Sequence, residues 1–108
     1  MSGLRDVLAV AYPSFTATPT TGAAPLTAQF IDASTGTITS RLWTFGDGQT
    51  GIERDPSHTY LQAVVYTVTL TVSGPGGSNT STRTGYISVE PPSSEPLSVF
   101  LPVMAWLE

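Results

Sequence analysis

One histidine, His58, lies in the run Asp55-Pro56-Ser57-His58-Thr59-Tyr60, and upstream of it a lone aspartate stands between two glycines in Trp43-Thr44-Phe45-Gly46-Asp47-Gly48. Aspartate, serine and histidine in one short stretch are the side chains of a hydrolase. Ser57 and His58 are neighbours, however, and on an extended chain neighbours point to opposite faces, so they cannot meet as nucleophile and base. A more distant serine would need a nucleophile elbow or an oxyanion-hole glycine pattern, and none is present. Gly46-Asp47-Gly48 raises two further chemistries. A Ca²⁺ loop needs roughly six to eight oxygen ligands, yet only Gly48, Gln49, Thr50 and Gly51 follow Asp47. A phosphate cradle needs a helix N-terminus behind its glycines, and the pattern predicts no helix there. What remains is a corner that ends a strand. The glycines take backbone angles closed to other residues, the Asp47 carboxylate accepts nearby backbone N–H groups, and His58 bonds locally beside that turn.

Composition narrows the field further. The chain has 108 residues, a net charge of −4, 11% charged residues, no lysine and no cysteine. A sparse acidic surface has no basic stripe with which to displace counterions from a phosphate backbone, which excludes nucleic-acid binding. Without cysteine there is no disulfide, thiolate metal site or thiol nucleophile, and no cofactor or metal is expected. Serine and threonine make up more than a quarter of the chain, so hydroxyls rather than ions cover the surface. The length suits one domain with a single core.

Those candidate residues must be held by strands, since no stretch shows a sustained helical period. Residues 15–19 read as a short strand stopped by Pro19, and 20–25 as a Gly/Pro loop. In 26–34, Leu26, Ala28 and Phe30 alternate with Thr27, Gln29 and Ile31, the first set facing a core. Residues 38–45 place Arg41, Trp43 and Phe45 on one face, with Arg41 at the rim reaching water. The clearest strand is 66–74, where Tyr66, Val68, Leu70 and Val72 alternate with threonines and a serine. Residues 74–79 turn the chain, and 80–89 return as a final strand with Ile87 and Val89 inward. Six or seven short strands at this spacing predict an all-β, two-sheet antiparallel β-sandwich of about seven strands.

The run from Trp43 to Gly48, followed by His58-Thr59-Tyr60 and by the strand at 66–72, resembles the PKD (polycystic kidney disease) domain, with residues 22–34 resembling that family's opening loop and second strand. The resemblance spans residues 13–90 in the family's order and spacing. It implies an immunoglobulin-like sandwich and a place in extracellular, multidomain proteins: surface-layer proteins, secreted proteases, collagenases, chitinases and the polycystins. It implies binding, spacing or mechanical linkage without catalysis. Trp43, Phe45, Gly46, Asp47, Gly48, His58, Tyr60 and Tyr66 are then structural motif residues, with Tyr60 a packed ring whose hydroxyl is bonded at a corner. One departure is Val64, where the family carries a turn glycine. A β-branched residue is costly at positive φ, so the 61–65 turn should take another shape and tuck Val64 or Val65 against the core.

These features divide the chain into an N-terminal flank (1–12), the sandwich (13–90), and a Pro/Ser-rich linker with an apolar tail (91–108). Residues 7–11 are shorter than most signal-peptide cores and are not read as one. Residues 96–106 are apolar but too short, and broken by Pro102, to span a membrane. The apolar ends point to a piece of a larger parent, and the tail should either dock as an edge strand or be disordered. Asn79-Thr80-Ser81 fits a glycosylation sequon. The first functional expectation is a non-catalytic extracellular or cell-surface module, monomeric in isolation, that spaces domains or contacts other proteins. The alternative is an accessory module of a secreted hydrolase that holds a polysaccharide or fibrous protein, which requires a surface row of aromatics or a polar groove. Tyr12, Tyr86 and Trp106 are the aromatics available for such a row.

Overall fold

Two-residue alternation of apolar and polar side chains runs through residues 15–18, 26–30 and 66–72 in a computed structural model that describes residues 10–92. Eight strands follow one another: β1 (Phe15–Thr18), β2 (Thr21–Ala23), β3 (Leu26–Asp32), β4 (Ser40–Thr44), β5 (Thr50–Gly51), β6 (Ser57–Tyr60), β7 (Val65–Gly74) and β8 (Gly77–Glu90). They form a three-stranded sheet, β1-β3-β6, and a five-stranded sheet, β2-β8-β7-β4-β5. The inner faces meet over Phe15, Phe30, Trp43, Phe45, Tyr60, Tyr66, Leu70 and Ile87, all buried. This is the two-sheet sandwich that the alternation predicts.

Several details differ from the sequence reading, each for a physical reason. Residues 20–25 are not wholly loop, because they contain β2, which pairs with β8 in parallel through Thr21↔Ser88, Gly22↔Val89 and Ala23↔Glu90. The chain leaves the first sheet at Pro19, which has no ladder N–H, and continues in the same direction beside the other sheet. The final strand starts at Gly77, not at residue 80, because Gly74 and Gly77 pair across a two-residue turn at Pro75-Gly76. The 61–65 turn does not tuck its valines inward: Val64 is 50% and Val65 61% exposed. Strand alternation gives the inward place to Tyr66, whose hydroxyl donates to the Gln62 carbonyl at 2.8 Å and closes the turn. Packing also reaches back to Ala11, which is buried, while Tyr12 exchanges backbone hydrogen bonds with Thr35 at 2.9 and 3.0 Å.

β7 and β8 lose register between Tyr66↔Ile87 and Val68↔Arg83. The extra residues bulge on β8 around Gly85 (φ +61), whose N–H donates to Thr67 Oγ1 at 3.1 Å. Beyond the bulge, Arg83 and Asn79 pair with the buried Val68 and Val72; both stay exposed but reach across to the other layer, Arg83 to Phe15 of β1 and Asn79 to Ala11. The apolar tail and Trp106 lie outside the described residues.

Candidate functional site

The Gly-Asp-Gly corner begins where β4 ends. Phe45 is buried, and its N–H donates to the Gln49 carbonyl at 3.1 Å, closing the turn. Gly46 has φ +94, and a Cβ on it would lie 2.5 Å from the Thr67 carbonyl oxygen, so both the dihedral and the space demand glycine. Gly48 has φ +91 but faces open space, so only the dihedral constrains it. Asp47 accepts the Gln49 N–H at Oδ1, 3.1 Å away, and meets His58 Nε2 at Oδ2, 2.7 Å away. With Asp47 ionised the carboxylate only accepts, so Nε2 carries the proton.

His58 comes from β6 in the opposite sheet and lies flat on Phe45, with ring centroids 4.1 Å apart and planes 6° from parallel. Its other flank meets Tyr60 edge-on at 4.8 Å. Tyr60 donates its hydroxyl to the Phe45 carbonyl at 2.9 Å. Burial pushes its phenol pKa up, and the charge of Asp47 and the neighbouring Tyr66 add to this, so it stays a protonated donor. Trp43 donates from Nε1 to the Glu53 carbonyl at 2.7 Å, and Tyr66 packs on Tyr60 at 4.3 Å. All eight motif residues therefore fall in one contiguous cluster.

Its chemistry is limited. The Asp47–His58 pair has the orientation of an acid–base dyad, but the Ser57 hydroxyl turns to the other face and donates to Gln29 Oε1 at 2.9 Å. Among the described residues no group of three or more His, Cys, Asp or Glu side chains could hold a metal ion. Beside the corner lies an open groove of about 300 Å³, lined by Phe45, Thr50, Ile52, Glu53, Ser57 and His58 among others.

A second polar cluster escaped the sequence reading. Asp32 is buried, with its side chain 2% exposed, and it pairs with Arg41 Nε across the two sheets. Ser34 N–H donates to Asp32 Oδ1 at 2.8 Å, and Asp32 N–H donates to Asp55 Oδ1 at 2.9 Å. Burial alone would raise the Asp32 carboxyl pKa, but the hydrogen bonds from Ser34 and Arg41, together with the arginine charge, outweigh it and hold the pKa below the usual value. Arg41 is thus tied to a carboxylate rather than simply extended to water. The signal was available, since Asp32 continues the inward set Leu26, Ala28 and Phe30.

The remaining flagged residues are engaged elsewhere. Asn79 Nδ2, the atom a glycan would need, donates to the Ala11 carbonyl at 2.6 Å. Tyr86 accepts the Ala17 N–H at 2.9 Å and packs edge-on against Phe15. Tyr12 is 53% exposed. On the outer face of the five-stranded sheet, hydroxyls pair across β7 and β8: Thr69 with Thr82 at 3.5 Å, Thr71 with Thr80 at 2.9 Å, and Ser73 with Ser78 at 2.8 Å.

The chain is similar in sequence and in fold to known proteins. The pre-pro-metalloprotease PrtV of Vibrio cholerae is 45% identical over 63 residues, 58% of this chain and 7% of that protein. The collagenase ColA of Bacillus cereus is 39% identical over 61 residues, 56% of this chain and 6% of that one. The chain therefore spans a small fraction of these relatives. The crystal structure of the PKD1 domain of Vibrio anguillarum Epp superposes with a TM-score of 0.64 at 33% identity, covering 77% of this chain and 96% of that one. A structure of carbohydrate-binding modules from the β-sandwich superfamily superposes with a TM-score of 0.70 at 26% identity, covering 82% and 38%. The family model described as PKD domain matches residues 10–89. With that match, and with the corner and sandwich in place, the chain belongs to the PKD domain family.

Proposed function

We propose that this domain is a non-catalytic extracellular module of a larger protein, acting as a spacer and through protein–protein contacts. The carrying observation is where its aromatic rings lie. Phe15, Phe30, Trp43, Phe45, Tyr60 and Tyr66 are consumed in the core, and among the described residues only Tyr12 is an aromatic with a largely exposed side chain. Sugar stacking needs a row of exposed rings. His58 is likewise spent on Asp47 and Phe45, which favours a structural part for it. The pre-pro-metalloprotease and collagenase relatives support an extracellular setting.

A second reading, an accessory module that holds a polysaccharide or fibrous protein for a separate hydrolase, is favoured by those same relatives and by the carbohydrate-binding neighbour. Titrating the ¹⁵N-labelled domain with insoluble polysaccharides and collagen-like polymers separates the two. A flat amide response supports the spacer and protein-contact module. Shifts gathered on one sheet face would transfer the case to substrate holding.

A further inference from the structure

The three-stranded sheet has two edges, β1 and β6, and among the described residues only one of them is covered. In an antiparallel ladder alternate residues point their backbone groups away from the partner strand. On β1 the Ser14 carbonyl bonds toward β3, so the groups of Phe15 and Ala17 face outward. Side chains of β8 take them up: Arg83 Nη1 donates to the Phe15 carbonyl at 2.9 Å, and the Ala17 N–H donates to the Tyr86 hydroxyl at 2.9 Å. On β6 the Pro56 carbonyl accepts from Phe30, so the groups of Ser57 and Thr59 face outward. Neither backbone N–H nor C=O of these two residues has a hydrogen-bond partner among the described residues. Their side chains do not cover the edge either, because Ser57 Oγ is tied to Gln29 and Thr59 Oγ1 to Thr27 at 2.7 Å, both on β3.

Next to this uncovered edge lies the groove floored by Phe45 and His58. Its walls include the apolar Ile52, 77% exposed, and one carboxylate, Glu53. No arginine lines it, and the chain, which carries net charge −4, has no lysine to fill it. We propose that the β6 edge is a docking site for one extended peptide strand of a partner protein, which pairs with Ser57 and Thr59 and drops a lysine or arginine side chain into the groove. Strand addition draws its affinity from main-chain hydrogen bonds and its selectivity from pockets for alternate side chains. The groove supplies such a pocket: the aliphatic stem lies along Phe45 and Ile52, and the cationic head meets Glu53. The partner strand runs antiparallel to β6 and extends the three-stranded sheet by one. This inference rests on the protein-contact reading and assigns that contact a place.

The probe is the blocked peptide Val-Thr-Lys-Thr-Val, titrated into the full ¹⁵N-labelled chain, with a second peptide in which glutamate replaces the lysine. The lysine peptide should shift the amides of Ser57, His58 and Thr59 and slow hydrogen exchange at Ser57 and Thr59. The glutamate peptide should bind several-fold more weakly, and Glu53→Gln should erase that difference. Thr59→Pro removes one outward N–H without breaking a ladder bond and should abolish binding, while an unchanged spectrum elsewhere reports that the variant is folded. Equal affinity for both peptides, or no shift at all, overturns the proposal. Shifts confined to the outer threonine face also overturn it, yet they leave a protein-contact module standing, so the two readings fail separately.

Discussion

The β1 and β6 edges belong to the same sheet and flank the same central strand, but they are finished in opposite ways. β1 is stitched to the other sheet by Arg83 and Tyr86 of β8, Asn79 holds the Ala11 carbonyl ahead of it, and Arg83 lies 4.3 Å over the Tyr86 ring. β6 meets the other sheet through side chains that leave its outer backbone groups free among the described residues: His58 lies on Phe45 and bonds Asp47, and Tyr60 donates to the Phe45 carbonyl. An exposed edge is a hazard that proteins ordinarily blunt, and the open one beside the groove is the edge for which strand docking is proposed. The core does not decide this, since aromatic rings run without a break from Tyr86 through Phe15, Trp43, Phe45 and His58 to Tyr60.

Substitutions can separate the two edges. Trp43→Ala strikes the ring both share and should cost about 3–5 kcal/mol, seen as a lower urea midpoint with faster amide exchange at both edges together. If only one edge loosens, the sheets do not share a single core. Asp32→Ala should cost about 3 kcal/mol by leaving Arg41 without its carboxylate between the sheets. The same pair sets an acid limit. Because the folded Asp32 pKa is held below the ordinary aspartate value of 3.8, its contribution is present above that pH and is lost as pH falls through the folded value. Asp32→Asn should therefore flatten the stability profile below that pH in calorimetric scans.

Gly46→Ala acts at the corner beside the open edge and should cost about 2 kcal/mol, from positive φ and from the crowding against Thr67 of β7. Gly48→Ala, with space around it, should cost about 1 kcal/mol. Equal losses at the two glycines would mean that the Thr67 contact has no part in the corner. Arg83→Ala acts on the closed edge and should cost about 1–2 kcal/mol, accompanied by faster exchange along β1 and an unchanged corner. Thr59→Pro should be among the mildest, about 1 kcal/mol, because the N–H it removes has no partner among the described residues and only the exposed hydroxyl bond to Thr27 is lost. A large loss there, by urea titration, would show that the β6 edge is covered after all.

The sheets were legible because burial imposes a two-residue period, and Tyr66, Val68, Leu70 and Val72 print it directly into β7. The corner was legible too, since paired glycines around one aspartate admit few backbone paths. What escaped were polar groups that reach across to the other layer. The pattern assigns Asp32 and Arg83 no partner and gives Asn79 only a sequon. Their roles depend on the β8 bulge and on which strand lies opposite, and both are set by residues far away in the chain. β2 was missed for a similar reason, because three residues carry too little alternation to announce a strand, and its pairing with β8 is a tertiary event. The turn valines were misjudged because a missing glycine signals a different turn without saying which way the replacement points.

That parallel pairing has a mechanical consequence. β2 and the end of β8 run side by side in the same direction, joined by Ser88 N–H to the Thr20 carbonyl and Ala24 N–H to the Glu90 carbonyl, each at 2.8 Å. Tension on a chain that enters before β2 and leaves after β8 drags the two strands past each other lengthwise. The hydrogen bonds are then loaded simultaneously, in shear, instead of being peeled apart one by one, so a stretch of only three paired residues acts as a force clamp at the point where the polypeptide leaves the domain.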